Sequence, residues 1–409
     1  MFVILPMRTI DGYAVSFVLS SFIFLALAYM ILKQKIESRI VYPLIVLAVV
    51  LRVAMIPVHP VGSDDYYRYL WDGKVIAHGI NPYEYAPSDS SLDSLHSSTI
   101  PGRVNFPGMK TLYPPLAETT FYVAYEIGGE NYVGVKLLLL AAELATIFGI
   151  LAILKKTGSP AQNVLLYALC PLPVFQFFID SHVDAIGIAL LVMSIYFYID
   201  KSKTLSYILL GLSLCIKPTA LIVIPIMFMN ERGTRERLKT ILVPTAICVA
   251  AYFPFTFSGN PFQALTTFAE NWTFNGVVFD ILNSFIHDNQ KARLICGLLF
   301  VAAYTPIVMR RGDALDKIYL STFLVLIFSP VVHPWYVGWL AVLLPFVPRA
   351  SGIVYVSLVS LTVFTLITYQ SSGVWKDYPA VMFAEYLPVI VLFVLELSGK
   401  KFESRMISN

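Results

Sequence analysis

The string Ser63-Asp64-Asp65-Tyr66-Tyr67-Arg68-Tyr69-Leu70-Trp71-Asp72-Gly73 sets two adjacent carboxylates ahead of an arginine and a third carboxylate at helical spacing. A carboxylate held within hydrogen-bond reach of a hydroxyl can do general acid–base work. Ser63 is the expected N-cap of a short helix and Gly73 its expected stop. Asp64 and Asp65 then lie in the first turn, with Arg68 and Asp72 following on the same face. In an arbitrary loop, helix stability alone accounts for this pattern. The balance moves toward chemistry because the pair directly follows an apolar span, and because Lys217 interrupts another apolar stretch just before Pro218. A lysine at membrane depth is rare and usually faces the bundle interior. Its bland alternatives are snorkelling to the interface or pairing with Asp184 or Glu143.

These residues need elements to hold them. The 409-residue chain is 57% hydrophobic, 14% aromatic and only 13% charged, with a mean hydropathy of +0.71. Soluble domains carry about 25% charged residues. Disorder, a collagen-like fibre and a disulfide-stapled scaffold are all excluded. A net charge of +3 gives no reason to expect a nucleic-acid partner. Cys170, Cys215, Cys248 and Cys296 lie in or beside apolar runs without metal-ligand spacing, as small buried hydrophobes do. The composition is that of a polytopic membrane protein, and the fold is expected to be all-α.

A bilayer-crossing helix needs about 20 mostly apolar residues. The candidate spans are Tyr13–Leu32, Val41–Val58, Tyr132–Leu154, Ala161–Ile179, Val183–Ile199, Ile241–Phe257, Ala292–Met309, Ile318–Ser329, Trp335–Val347, Gly352–Tyr369 and Phe383–Leu397. The first reads as a span, not a signal peptide: only Arg8 precedes it, and Lys33, Lys35 and Arg39 follow as a stop-transfer flank. Basic residues cluster on every second connection, at Lys33/Lys35/Arg39, Lys155/Lys156, Lys201/Lys203, Arg232/Arg235/Arg237/Lys239, Arg310/Arg311/Lys317, Arg349 and Lys400/Lys401/Arg405. The connections between them carry Asp64, Asp65, Asp72, Asp180, Asp184, Asp280, Asp288 and Asp377. By the positive-inside rule the N-terminus is outside and the C-terminus is cytoplasmic.

Two stretches do not span. Pro114–Gly128 is short and carries Glu118 and Glu126, so it is expected at the outer surface. Leu205–Asn230 has basic flanks at both ends and a break at Lys217-Pro218. Each arm of about 13 residues rises only about 20 Å, short of the hydrocarbon thickness. A helical hairpin with Lys217 at its tip is the economical reading, and non-helical backbone at that depth implies a polar cavity. Two long outer connections remain, 59–113 and 258–290. No internal repeat appears, and residues 1–409 read as one membrane domain. The first connection continues with His78-Gly79-Ile80-Asn81-Pro82-Tyr83-Glu84-Tyr85-Ala86-Pro87 and ends in Leu112-Tyr113-Pro114-Pro115-Leu116.

The strings S-D-D-Y-Y-R-Y-L-W-D-G-K, G-I-N-P-Y-E-Y-A-P and L-Y-P-P-L together resemble the first outer loop of C-type (GT-C) polytopic glycosyltransferases. More narrowly, they resemble the polyprenyl-phosphate-sugar-dependent, mannosyltransferase-like group of bacteria and archaea. H-V-D-A at His182–Ala185, K-P-T-A at Lys217–Ala220 and H-P-W-Y at His333–Tyr336 extend the resemblance over about residues 50–350. In the simplest family plan the catalytic loop follows the first span. Here it follows the second, so Tyr13–Leu32 is an added helix.

The resemblance implies a GT-C-like bundle of about 11–13 transmembrane helices with an elaborated first extracytoplasmic loop. It implies an inverting transferase that moves a hexose, mannose by analogy, from a polyprenyl-phosphate carrier to a glycan or lipid acceptor at the outer face of the bilayer. Asp64 or Asp65 would be the general base. The phosphate leaves without protonation and needs a cation beside it. Arg68, Lys217, Arg52 and His333 are the candidates for that role. Arg52 lies about 9 Å below its helix end, where snorkelling is equally expected. His333 could equally belong to an aromatic belt. His182 and Asp184 are expected to line the cavity, with Asp180 or Ser181 capping their helix; Asp72, Asn81 and Tyr113 complete the substrate-binding set. No compact metal site is apparent, although the Asp64/Asp65 pair could recruit a divalent cation. A secondary transporter or flippase shares the intramembrane charges and broken helices, but predicts duplicated halves and short connections. An oligosaccharide ligase or polymerase of another fold would also use a polyprenyl carrier.

Overall fold

The computed structural model describes residues 9–33 and 36–398. Arg8, Lys35, Lys400, Lys401 and Arg405, which entered the orientation argument, lie outside the described residues. Among the described residues the secondary structure is all helical, with no strand and one isolated bridge between Phe274 and Val331. The first five helices are α1 (Ile10–Leu32), α2 (Ser38–Met55), α3 (Asp65–Ala77), α4 (Pro115–Gly128) and α5 (Val133–Thr157).

Among the described residues six elements are long and apolar enough to cross a membrane: α1, α5, Thr234–Thr256, Asn289–Met309, Ala350–Ser372 and Pro379–Leu397. Ala161–Ala168 and Pro171–Ile179 make a seventh if counted together across their 44° bend. The bend falls where Pro171 lacks an N–H and its ring crowds the preceding turn. The chain is therefore a multi-pass, all-α membrane protein, as its composition requires. Other expected spans are shorter helices, such as Asp184–Ile199 and Ala314–Phe328.

The chain divides into two compact units, whose boundaries fall within α2, α5, the Val174–Ile179 turns and the Trp272–Thr273 connection. One unit comprises the described residues before 54, 150–176 and those after 272. There Phe17 stacks on Phe175 at 4.6 Å, and Gln176 donates to the Tyr13 hydroxyl at 3.0 Å. Arg52 is wholly buried and does not snorkel. It donates to the carbonyls of Ala168 at 2.8 Å and Ala48 at 3.1 Å. Ala168 ends the helix interrupted before Pro171, so its carbonyl needs a donor in a place without water.

The other unit comprises 54–149 and 177–272. α3 packs on α4 so closely that a Cβ at Gly73 would lie 2.3 Å from the Phe121 carbonyl oxygen. Gly73 is therefore not the helix stop. The helix runs through it to Ala77, and the left-handed Gly79, at φ 76°, marks the turn beyond. Lys136, near the start of α5, is buried and donates to the carbonyls of Met55, at 3.2 Å, and Val58. It thereby satisfies acceptors at the end of α2, where a cation is favoured.

The expected hairpin is present in this unit. Lys203–Leu214 rises to a break, and Pro218–Ile222 and Val223–Asn230 return. At its base Lys203 pairs with Glu231, and the Tyr207 hydroxyl donates to Glu231 at 3.2 Å. At its tip the Cys215 carbonyl accepts from Leu116 N at 3.1 Å and Ala117 N at 3.3 Å, in the first turn of α4. The break frees a carbonyl and the start of α4 supplies amides without intrahelical partners, so each answers the other.

Candidate active site

α3 starts one residue later than expected. Asp64 occupies the N-cap position without a side-chain cap bond, and Ser63 Oγ accepts from Asp65 N at 3.2 Å. Both aspartates consequently sit at the positive end of the helix. From a loop about forty residues away, Asn105 Nδ2 donates to Asp64 Oδ1 at 3.1 Å and to Asp65 Oδ1 at 2.8 Å.

Opposite this pair runs the segment Asp180-Ser181-His182-Val183-Asp184, whose even-numbered side chains each meet a different neighbour. Asp180 Oδ1 accepts from Gly62 N at 2.7 Å, just before the aspartate pair. His182 Nδ1 lies 3.7 Å from Asp65 Oδ2. Asp184 Oδ1 lies 3.2 Å from Lys217 Nζ, at the hairpin tip. Between the first two, Ser181 holds a left-handed φ of 68°, and its buried Oγ has no hydrogen-bond partner. A non-glycine residue in that region is strained, and such strain clusters at functional sites. The expected cap by Asp180 or Ser181 does not form: Val183 stands at the N-cap of Asp184–Ile199.

His182 and Asp184 are buried, whereas the Asp65 and Lys217 side chains each keep 20% exposure. The cluster thus has a closed back and an accessible front. Burial first, and then the Asp64 charge, push the Asp65 carboxyl up to about 6, against the Asn105 hydrogen bond and the pull of Lys217. Burial also raises Asp64, with Asn105 opposing. Tyr69 stacks on Phe121 at 4.3 Å and meets Tyr113 edge-on at 5.2 Å. Burial and then Asp65 hold both hydroxyls well above the usual phenol range, so they remain protonated.

Arg68 and Asp72 turn away from this front. Arg68 Nε donates to Asp72 Oδ2 at 3.1 Å and Nη2 donates to the Met109 carbonyl, leaving Nη1 as the nitrogen without a protein acceptor. Glu118, which the sequence suggested only as a sign of a surface segment, is wholly buried and completes the group: it accepts from Thr111 Oγ1 at 2.5 Å. Burial, and then the Asp72 charge, raise it well above the carboxylate range. Burial raises Asp72 as well, with Arg68 opposing, so the two carboxyls share a buried site in which Arg68 is the neighbouring cation. Asn81 is a tie between loops, donating to the Phe255 carbonyl at 3.1 Å and to Ser258 Oγ at 2.8 Å. Arg52 and His333 belong to the other unit. There His333 is stacked between Trp335, at 4.2 Å, and Phe274, at 4.7 Å. Among the described residues no three or more His, Cys, Asp or Glu side chains are placed to hold a metal ion.

Asn105 carried no motif signal, because it lies between the quoted strings and only the folded loop brings it to α3. A carboxylate pair at a helix start, backed by a histidine and an aspartate–lysine pair on a broken membrane hairpin, fits the class of GT-C-like glycosyltransferases. Residues 3–231 match the family model for the alpha-(1->6)-mannopyranosyltransferase N-terminal domain, and residues 277–398 match the MptB C-terminal domain. The chain belongs to this mannosyltransferase family. No curated protein matches it.

Proposed function

We propose that the whole chain acts as one inverting mannosyltransferase domain at the extracytoplasmic face of the cytoplasmic membrane, with polyprenyl-phosphate-mannose as donor. The family's name supports an α-(1→6) linkage to a glycan acceptor. Inversion to an α product requires a β-linked donor. Asp65 is the general base. It takes the proton of the acceptor hydroxyl while that oxygen attacks C1 and the C1–O bond to the carrier phosphate breaks. The phosphate leaves with the bond's electron pair, and Lys217 stabilises its charge. Asp184 orients Lys217, His182 backs Asp65, and Tyr113 lines the approach with Tyr69. The Arg68–Asp72–Glu118 group holds α3 against α4 behind the site.

One observation carries this reading: the accessible front of the cluster joins a carboxylate poised near neutrality to a lysine at a helix break. A general base of that kind contributes about 10²–10⁴-fold. With purified protein, polyprenyl-phosphate-mannose and a mannose-terminated oligosaccharide, Asp65→Asn is expected to lower kcat by that range. Lys217→Met is expected to lower it by about 10²-fold or more. Undiminished turnover in the Asp64→Asn/Asp65→Asn double variant would remove the base. Equal use of a nucleotide-linked mannose would remove the lipid-phosphate donor. The transporter alternative has neither the repeat it predicts nor the family membership.

A further inference from the structure

The loop that carries Asn105 is fastened to α3 on both sides of it. Before it, Arg103 Nη1 donates to the Tyr67 hydroxyl at 2.8 Å; after it, the Met109 carbonyl accepts from Arg68. Between these two staples Phe106 adopts a left-handed φ of 48°, with its ring against Trp272 at 4.9 Å. Asn105 is thereby delivered to the start of the same helix. A carboxamide nitrogen has two hydrogens, and here each is directed at a different aspartate.

Two adjacent, largely buried carboxylates ordinarily share one proton, because like charges at that separation oppose each other's ionisation. A dyad that already holds a proton is a poor base. We propose that Asn105 is a positioning residue: its carboxamide donates to both aspartates at once and keeps the pair from sharing a proton, which leaves Asp65 open to receive one from the acceptor hydroxyl. This rests on the transferase reading above. It assigns Asn105 a task and decides between the two aspartates. Asp64 serves as the charged neighbour that makes Asp65 more basic.

The groups facing Asp65 are Asp64 and Tyr69 at the start of and along its own helix, Tyr113 just before α4, His182 and Asp184 on the opposite segment, and Lys217 at the hairpin tip. Substitution at 105 leaves all of them in place. The test is the pH dependence of kcat/KM for the full-length protein in nanodiscs, with polyprenyl-phosphate-mannose and a mannose-terminated oligosaccharide. For the natural protein the acid limb is expected near pH 6. Asn105→Ala loses both hydrogen bonds, so its acid limb should rise by about one pH unit while the alkaline plateau stays within about threefold. Asn105→Ser has one hydroxyl hydrogen to give and should shift by less. Asp64→Asn removes the opposing charge and should move the limb the other way, to lower pH.

Opposite shifts from the two positions support the proposal. An Asn105→Ala enzyme slowed equally at every pH, with its limb unmoved, would reduce Asn105 to a structural contact and overturn it. If Asn105→Ala does not fold, judged by its thermal midpoint, Asn105→Ser and Asp64→Asn decide: a limb unmoved in both overturns the proposal. Full activity of Asp65→Asn at all pH values would instead remove the base itself. That failure is distinguishable from the failure of Asn105's role.

Discussion

An aspartate side chain has a reference pKa of 3.8, and Asp65 stands at about 6 because burial and then Asp64 oppose its ionisation. The same displacement bears on stability. Where the folded pKa is raised, the favourable contribution is complete below the unfolded pKa and is lost as pH rises through the folded one. Asp65 therefore stabilises the fold below about pH 4 relative to its ionised state, and that advantage disappears between pH 4 and 6. Two pKa units correspond to about 3 kcal/mol. Asp65→Asn is thus expected to raise the thermal midpoint at pH 7.5, with the difference from the natural protein shrinking as pH falls toward 4. Equal midpoints at pH 7.5 would show that the site imposes no penalty on the charge. The expectation matches a general pattern, in which a site built for chemistry gives up stability.

At the scale of elements, α3 is placed by a glycine that the local sequence presents as a terminator. Gly73 sits where α3 and α4 approach backbone to backbone, and both the Phe121 carbonyl oxygen and carbon lie within 2.7 Å of any added Cβ. Neither backbone can yield without moving the start of α3, which carries Asp64 and Asp65. Gly73→Ala is expected to destabilise the protein by about 3 kcal/mol, as overpacking of a tight contact does. It should also lower kcat. Gly102→Ala is the control, since nothing lies within 4 Å of its Cβ position. Equal thermal midpoints for the two variants would contradict this account of the helix contact. The hairpin is held on the same principle, by satisfied polar ends: Glu231 with Lys203 and Tyr207 at the base, and the Cys215 carbonyl on α4 at the tip.

For the molecule as a whole, the proposed chemistry requires the 59–113 connection to face away from the cytosol. The charges along the chain favour that orientation through the alternation of basic and acidic connections. Ser94 is exposed in this connection and Arg235 is exposed in the first turn of Thr234–Thr256. In a background lacking the four natural cysteines, Ser94→Cys should react with a membrane-impermeant maleimide in intact cells, and Arg235→Cys only after permeabilisation. The reverse pattern would place the aspartate pair in the cytosol and end the proposal of an extracytoplasmic, lipid-phosphate donor.

Composition and hydropathy by themselves determined that this is a multi-pass, all-α membrane protein, because an apolar segment of that length has few places to go other than the bilayer. They also determined the hairpin broken at Lys217, since arms that short cannot cross. Motif strings carried His182, Asp184 and Lys217, which the fold does bring to the aspartate pair. Only the tertiary structure decided how the remaining polar residues divide. Arg68 is drawn into a buried ion pair behind the site, Asn81 ties two loops, and Arg52 serves the carbonyl of a broken helix. Asn105 entered the picture from the structure alone, and Glu118, read in the sequence as a surface residue, was shown there to be buried beside Arg68 and Asp72. The physical reason is range: hydrophobic periodicity and charge placement act along the chain. The partner of a buried polar group is chosen by whichever acceptor or donor the packing brings within about 3 Å, and no spacing in the sequence records that.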